Sequence, residues 1–183
     1  MSMSGPRVYR HIEEMLSMST QDGQLTVELG CGGRQYRPSV AGHYFGADIM
    51  TGTYGTPDIL ADARWLPFRD ETVDRVFFVA SLYLMPDTDR IISECHRVLR
   101  KDGQILIFDY NRWVHRRMAA PNRFSSRMLS NKLLAGGFRP LVQRTCVPLK
   151  GPEFLRPLYR VRVFRVLLYA VSNWIVLSGR KRP

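Results

Sequence analysis

Cysteine is scarce in this chain. The three present, Cys31, Cys95 and Cys146, stand far apart, with no C-x-x-C pair and no histidine and cysteine cluster at metal-ligand spacing. That pattern indicates neither a zinc site nor a disulfide framework, and it suits a reducing compartment. Acidic residues are also few: 16 Asp and Glu against 27 Lys and Arg leave a formal charge of +11. A shortage of negative charge on that scale favours an anionic partner, whether nucleic acid, acidic lipid or charged small molecule, and charge alone does not choose among them. No apolar run reaches the ~20 residues that a membrane-spanning helix needs. The nearest, Val163 to Leu177, contains Arg165 and Asn173. The first residues lack a charged stretch followed by an apolar core of roughly 7 to 15 residues, so no secretory signal is expected and the reading is cytoplasmic.

What is present points to one domain over 1–183 with a real core, since 45% of the residues are hydrophobic and 23% charged. The most informative stretch is Val27-Glu28-Leu29-Gly30-Cys31-Gly32-Gly33, an apolar strand ending that runs into glycines. Such an ending lets backbone N–H groups approach a ligand, and an acid at the next strand's end, here Asp48, can hold ribose hydroxyls. The dinucleotide fingerprint G-x-G-x-x-G is not met, because counting from Gly30 puts Gln35 where its third glycine belongs. A nucleoside pocket is therefore the expectation, and a dinucleotide is disfavoured.

Periodicity places a helix over residues 6–19, with Val8, Ile12, Met15 and Leu16 in phase, to lid the pocket or pack on the sheet; a strand from Leu25 to Leu29 follows. Pro38 interrupts the next segment, so any helix between Arg34 and Ala41 is short or irregular. Strands are expected at Tyr44 to Ala47, at Asp58 to Leu60 and, centrally, at Val73 to Val79. A helix opened by Pro86-Asp87 and running through Arg100, with stripe Ile91, Ile92, Cys95, Val98 and Leu99, precedes a strand from Gln104 to Asp109. A helix from Arg123 to Ala135, stopped by Gly136-Gly137, leads to an edge strand Phe138 to Val147 interrupted at Pro140. Trp174 to Leu177 reads as a closing strand. Alternating strand and helix predict a parallel α/β sheet. The basic, apolar segment 153–177 either completes the core or lies on an anionic membrane surface with its arginines snorkelling.

Five stretches in order resemble the class I S-adenosylmethionine-dependent methyltransferases of the type 11 kind. Glu28, Gly30 and Gly32 carry the acid-x-Gly-x-Gly signature, with Arg34 at the family's usual third glycine. Tyr44 to Ile49 looks like the family's second strand, Ala61 to Phe68 like its "D-A-x-x-L-P-F" segment, Glu71 to Val76 like the lead-in to its fourth strand, and Glu94 to Gln104 like its "E-x-x-R-V-L-K-P-G-G" turn. In that turn Asp102 stands for proline and Gln104 for the second glycine. The resemblance implies a Rossmann-like, mostly parallel seven-stranded sheet with helices on both faces and an antiparallel last strand. It implies S-adenosylmethionine as cofactor, and the residues themselves offer no metal site. Cofactor binders by resemblance are Glu28, Gly30, Cys31, Gly32, Asp48, Ile49, Asp62, Ala63 and Ala80. Glu28 would organise the loop and help place the methionine amino group, and Asp48 would accept the ribose hydroxyls. Asp62 would accept from the adenine amino group beside an apolar wall from Trp65 or Leu66.

Methyl transfer from a sulfonium demands placement and exclusion of water more than a catalytic triad. Ser81, Tyr83 and His115 are candidates for the transfer zone, whereas His11, His43 and His96 read as surface or packed. The acceptor reading is a small or lipid-like molecule with an O, N or C nucleophile. One rival is RNA methylation, with Arg112, Arg116, Arg117, Arg123 and Arg127 around the mouth and Trp113 and Phe124 stacking bases. Against it, Ala80-Ser81-Leu82-Tyr83 lacks the Asn/Asp-Pro-Pro-aromatic signature of base-amine methyltransferases, and there is no Pro-Cys pair of cytosine-C5 enzymes. The other rival is a non-catalytic cofactor-binding protein with a regulatory or assembly role.

Overall fold

The largely apolar run Val73–Val79 forms a strand buried along its whole length, and the rest of the sheet is arranged about it. The structure, a computed structural model, describes residues 7–51, 55–111, 120–146 and 174–182. Its elements are α1 (Arg7–Ser19), β1 (Leu25–Leu29), β2 (His43–Asp48), β3 (Ile59–Leu60), β4 (Val73–Val79), α2 (Thr88–Val98), β5 (Leu99–Tyr110), α3 (Ser126–Ala135), β6 (Phe138–Cys146) and β7 (Trp174–Lys181). They build one seven-stranded sheet in the order β3-β2-β1-β4-β5-β7-β6. Strands β1 to β5 run parallel, and β7 lies antiparallel between β5 and β6. The chain order reverses between β1 and β4, which opens a crevice at the carboxyl ends of those two strands.

Helices cover both faces of the sheet. Ile12 and Leu16 of α1 pack with Tyr44, Phe77, Phe108 and Val176 on one side, so this helix packs on the sheet. On the other side Ile91, Ile92, Cys95 and Val98 of α2, with Leu129 and Leu133 of α3, pack against Val27, Val76, Ile105 and Leu177. The alternation along β7 explains the split, since Ile175 and Leu177 enter one core and Val176 the other. Between β1 and β2 the helix is only a 3-10 turn, Arg37–Ser39, as Pro38 requires.

Several boundaries differ from the sequence reading. Helix α2 ends at Val98, because Leu99 already pairs with Val73 as strand, and the ladder resumes at Gln104 opposite Arg75 after a register shift. Asp102, at φ 62°, and Gly103 form the irregular stretch in between, so sheet pairing stops the helix before the turn residues do. Helix α3 starts at Ser126, where the Ser125 side chain accepts the Met128 N–H at 3.2 Å as an N-cap. Strand β7 continues to Lys181, past the expected end at Leu177. Strand β6 is a sheet edge, as expected, and shifts register between Pro140 and Val142, where proline has no N–H to offer. Residues 153–173 of the basic apolar segment lie outside the described residues; 174–177 are the first part of β7. Among the described residues no helix is long and apolar enough to cross a membrane.

Candidate cofactor site

The parallel strands deliver their carboxyl ends to one side, and four turns meet there. After β1, Gly30 adopts φ 71° and its N–H donates to the Ala47 carbonyl at 2.8 Å, which ties the glycine loop to the end of β2. A Cβ on Gly30 would stand 2.5 Å from the Ser81 Cβ and 2.8 Å from the Met85 Cε, so no side chain fits. Gly32, at φ 49°, donates its N–H to Asp48 Oδ2 at 2.9 Å. The other oxygen of Asp48 accepts the Met50 N–H at 3.1 Å. Each oxygen thus keeps one acceptor direction for a ligand, and the carboxylate is held in place before any ligand arrives.

These turns enclose a cavity of about 490 Å³. Of the expected binders, Gly30, Gly32, Asp48, Ile49, Asp62, Ala63 and Ala80 line it, and so does Ser81. Ala80 holds φ 49°, uncommon for a residue with a Cβ, and its N–H donates to the Phe108 carbonyl at 2.8 Å. Ser81 donates its hydroxyl to the Leu29 carbonyl at 2.8 Å, joining the ends of β1 and β4 beneath the cavity. Sequence reasoning misses Met50, Leu84, Met85, Pro86 and Ile91, which supply much of the apolar lining. The one signal for them is their place soon after the second and fourth strand ends.

Other expected residues stand elsewhere. Glu28 does not line the cavity; it is buried, and the Tyr44 hydroxyl donates to its Oε2. Burial pushes the Glu28 carboxyl up to about 8, against the lowering effect of the Tyr44 hydrogen bond. Cys31 is packed away from the cavity, and burial with the nearby charges of Glu28, Asp48 and Asp58 pushes its thiol up to about 12. A reactive thiolate is thereby disfavoured. Trp65, 65% exposed, lies outside the cavity with the Arg90 guanidinium 4.1 Å from its ring centroid, and Leu66 is in the core. The expected adenine wall is therefore corrected: Ile49 and Met50 line the cavity and those two do not.

Of the expected base platform, Phe124 is corrected, because it is 2% exposed and offers no face for stacking. Arg123 and Arg127 are exposed, and neither lines the cavity. Arg112, Trp113, His115, Arg116 and Arg117 lie outside the described residues. Of the other histidines, His43 is exposed and His96 packs edge-on against Phe138.

Tyr83 is buried, does not line the cavity, and packs edge-on to Tyr110 at 5.6 Å between ring centroids. Its backbone N–H donates to Asp109 Oδ2 at 2.9 Å, while the Tyr110 N–H donates to Oδ1 at 2.7 Å. Asp109 is fully buried, and desolvation pushes its carboxyl up to about 7 despite these two bonds. In the sequence Asp109 stands only as the end of a strand.

Sheet order and the glycine loop after β1 together define a protein of the class I methyltransferase fold. Residues 27–107 match the family described as a methyltransferase domain, and the fold is that of the class I S-adenosylmethionine-dependent methyltransferases. The cofactor of this class is S-adenosylmethionine. The chain is 44% identical over 50 residues to "Methyltransferase GfsG" of Streptomyces halstedii, a match covering 27% of this chain and 18% of the relative. It is 31% identical over 91 residues to the Homo sapiens protein "Arginine-hydroxylase NDUFAF5, mitochondrial", covering 43% of this chain and 26% of that one. The matched stretches thus span about a quarter or less of these curated relatives. Among solved structures, the geranyl diphosphate C-methyltransferase from Streptomyces coelicolor A3(2), in complex with Mg2+, geranyl diphosphate and S-adenosyl-L-homocysteine, superposes with a TM-score of 0.70 at 13% identity, over 96% of this chain and 78% of that one. That likeness is one of fold.

Proposed function

We propose that this chain holds S-adenosylmethionine in the cavity and transfers its methyl group to a small or lipid-like acceptor. The observation that carries the reading is the Asp48 carboxylate, oriented by the Gly32 and Met50 N–H groups at the rim of a loop where a Cβ on Gly30 has no room. A ribose diol needs such a fixed pair of acceptors, and the missing Cβ at Gly30 lets the loop seat closely against Ser81 and Met85 at the end of β4. When bound, the cofactor supplies an activated methyl group on a sulfonium. The protein's part is placement: Asp48 holds the ribose, Ser81 locks the floor through the Leu29 carbonyl, and Leu84, Met85 and Ile91 keep water out. Glu28 acts as a buried organiser of the strand behind the loop through Tyr44.

The acceptor class rests on charge and rim. Met50 is 71% exposed and Leu84 52% exposed at the edge of the cavity, on a chain of formal charge +11. An apolar molecule carrying an anionic group suits both, and the geranyl diphosphate named with the similarly folded enzyme has that character. The test is a cell extract supplied with isotopically labelled methyl donor, the product recorded by mass and solvent partition. Label in a lipid or small amphiphile supports the reading. Label in RNA replaces it with the nucleic-acid reading, and saturable cofactor binding without label in any fraction replaces it with a non-catalytic role.

A further inference from the structure

The acid expected to take the adenine amino group already has an occupant. Asp62 Oδ1 accepts the Arg64 backbone N–H at 2.9 Å and its Nε–H at 3.0 Å, while Oδ2 accepts an Nη2–H at 2.6 Å and shares the Nε–H at 3.1 Å. Both oxygens are used twice, so neither has a direction left for a further donor. Arg64 itself lines the cavity, two residues along the same turn. Resting on the proposed placement of the cofactor, we infer that Arg64 is a specificity-determining residue that acts as an internal competitor for Asp62, which the 6-amino group of the cofactor's purine must displace.

Geometry makes this a distinct claim from ordinary ion pairing. A fork-on-carboxylate pair fills the acceptor edges that a purine amino group requires, whereas a lone monodentate cation would leave one oxygen open. The pair is also accessible, with side-chain exposures of 37% for Arg64 and 26% for Asp62, so it can open without unpacking the core. The Arg64 hydrogen bonds hold the Asp62 carboxyl below its ordinary range, as expected of an acid kept ionised by its own neighbour. A ligand that needs the open form binds more weakly by the fraction of time the pair is closed.

Calorimetry with S-adenosylhomocysteine and with its counterpart lacking the 6-amino group tests the inference, on the wild-type chain, Arg64→Ala and Arg64→Gln. An exposed bidentate pair predicts that both variants bind S-adenosylhomocysteine about twofold to sixfold more tightly than wild type. The counterpart without the amino group gains nothing from either substitution, because it never contends for Asp62. Equal or weaker binding of S-adenosylhomocysteine by both variants overturns the inference while leaving the cofactor reading intact. An equal gain for both probes overturns it as well, since that marks simple relief of crowding. No saturable uptake by any of the three proteins overturns the cofactor reading and this inference with it.

Discussion

Glu28→Gln is the substitution whose effect the structure determines most directly. The native carboxyl is 2% exposed, accepts the Tyr44 hydroxyl, and titrates near 8 because burial disfavours its charged form. In the unfolded chain the same group titrates near 4.5. Between those two values the folded protein holds a proton that the unfolded chain has released, so folding takes up a proton and stability falls as pH rises. The contribution is fully present below about pH 4.5 and is lost as the pH climbs through the native value near 8.

Integrated from about pH 5 to about pH 7, those two titration points make the wild type lose roughly 2 to 3 kcal/mol relative to a variant with a neutral, isosteric amide at this position. Urea unfolding of both proteins at three pH values, at fixed ionic strength, reads the difference. Comparison of the pair removes the other titrating groups: Asp109, also raised by burial, adds slope of the same sign, and His96, lowered mainly by burial, adds slope of the opposite sign, but both are shared. The Glu28→Gln variant therefore gains on the wild type as pH rises. Parallel stability curves for the two proteins over this range refute the buried neutral carboxyl, and with it the assignment of Glu28 to an organising role behind the loop.

Asp48→Ala removes a charged acceptor of the ribose, and a loss of ~1.5 to 3 kcal/mol corresponds to S-adenosylhomocysteine binding about tenfold to more than a hundredfold weaker in calorimetry; unchanged affinity removes Asp48 from the site. Gly30→Ala forces a side chain into a φ of 71° and within 2.5 Å of Ser81, so the variant is expected to lose at least ~2 kcal/mol of stability in urea and all measurable cofactor binding. Tyr44→Phe takes the hydroxyl away from the buried Glu28 carboxyl, and urea unfolding at about pH 7 is expected to show a loss of ~1 to 3 kcal/mol; a neutral outcome means that another group satisfies the acid. Ser81→Ala leaves the Leu29 carbonyl without that hydroxyl, with an expected loss of ~1 kcal/mol in urea unfolding and weaker S-adenosylhomocysteine binding in calorimetry.

The parts that are legible in the sequence are those fixed by neighbours along the chain. Val73 to Val79 declares a central strand by its own largely apolar run, and Gly30 declares a close approach because only glycine tolerates both its φ and its lack of space. The third-glycine position shows what local reading misses. Arg34 stands there at φ 54°, so the backbone keeps the left-handed turn that glycine would adopt without strain. The arginine is anchored by an ion pair with Asp58, whose Oδ2 accepts the Gly46 N–H at 2.9 Å. Strain at one residue is thus offset by contacts to the second strand and the approach to the third, which a pattern of spacings does not record.

A motif gives residue identity at a strand end, but the direction of each carboxylate is set by partners that converge only after folding, and for that reason the site was legible in part. Asp48 is aimed at the cavity because Gly32 and Met50 hold its two oxygens, and Asp62 is claimed by Arg64, although both acids read alike in the sequence. Asp109 shows the converse: a strand-end acid with no motif becomes a fully buried anchor because the chain after β4 brings the Tyr83 N–H to it. The position of an acid at the end of a parallel strand therefore does not by itself assign it to a ligand, and its hydrogen-bond partners decide whether it is free to bind one.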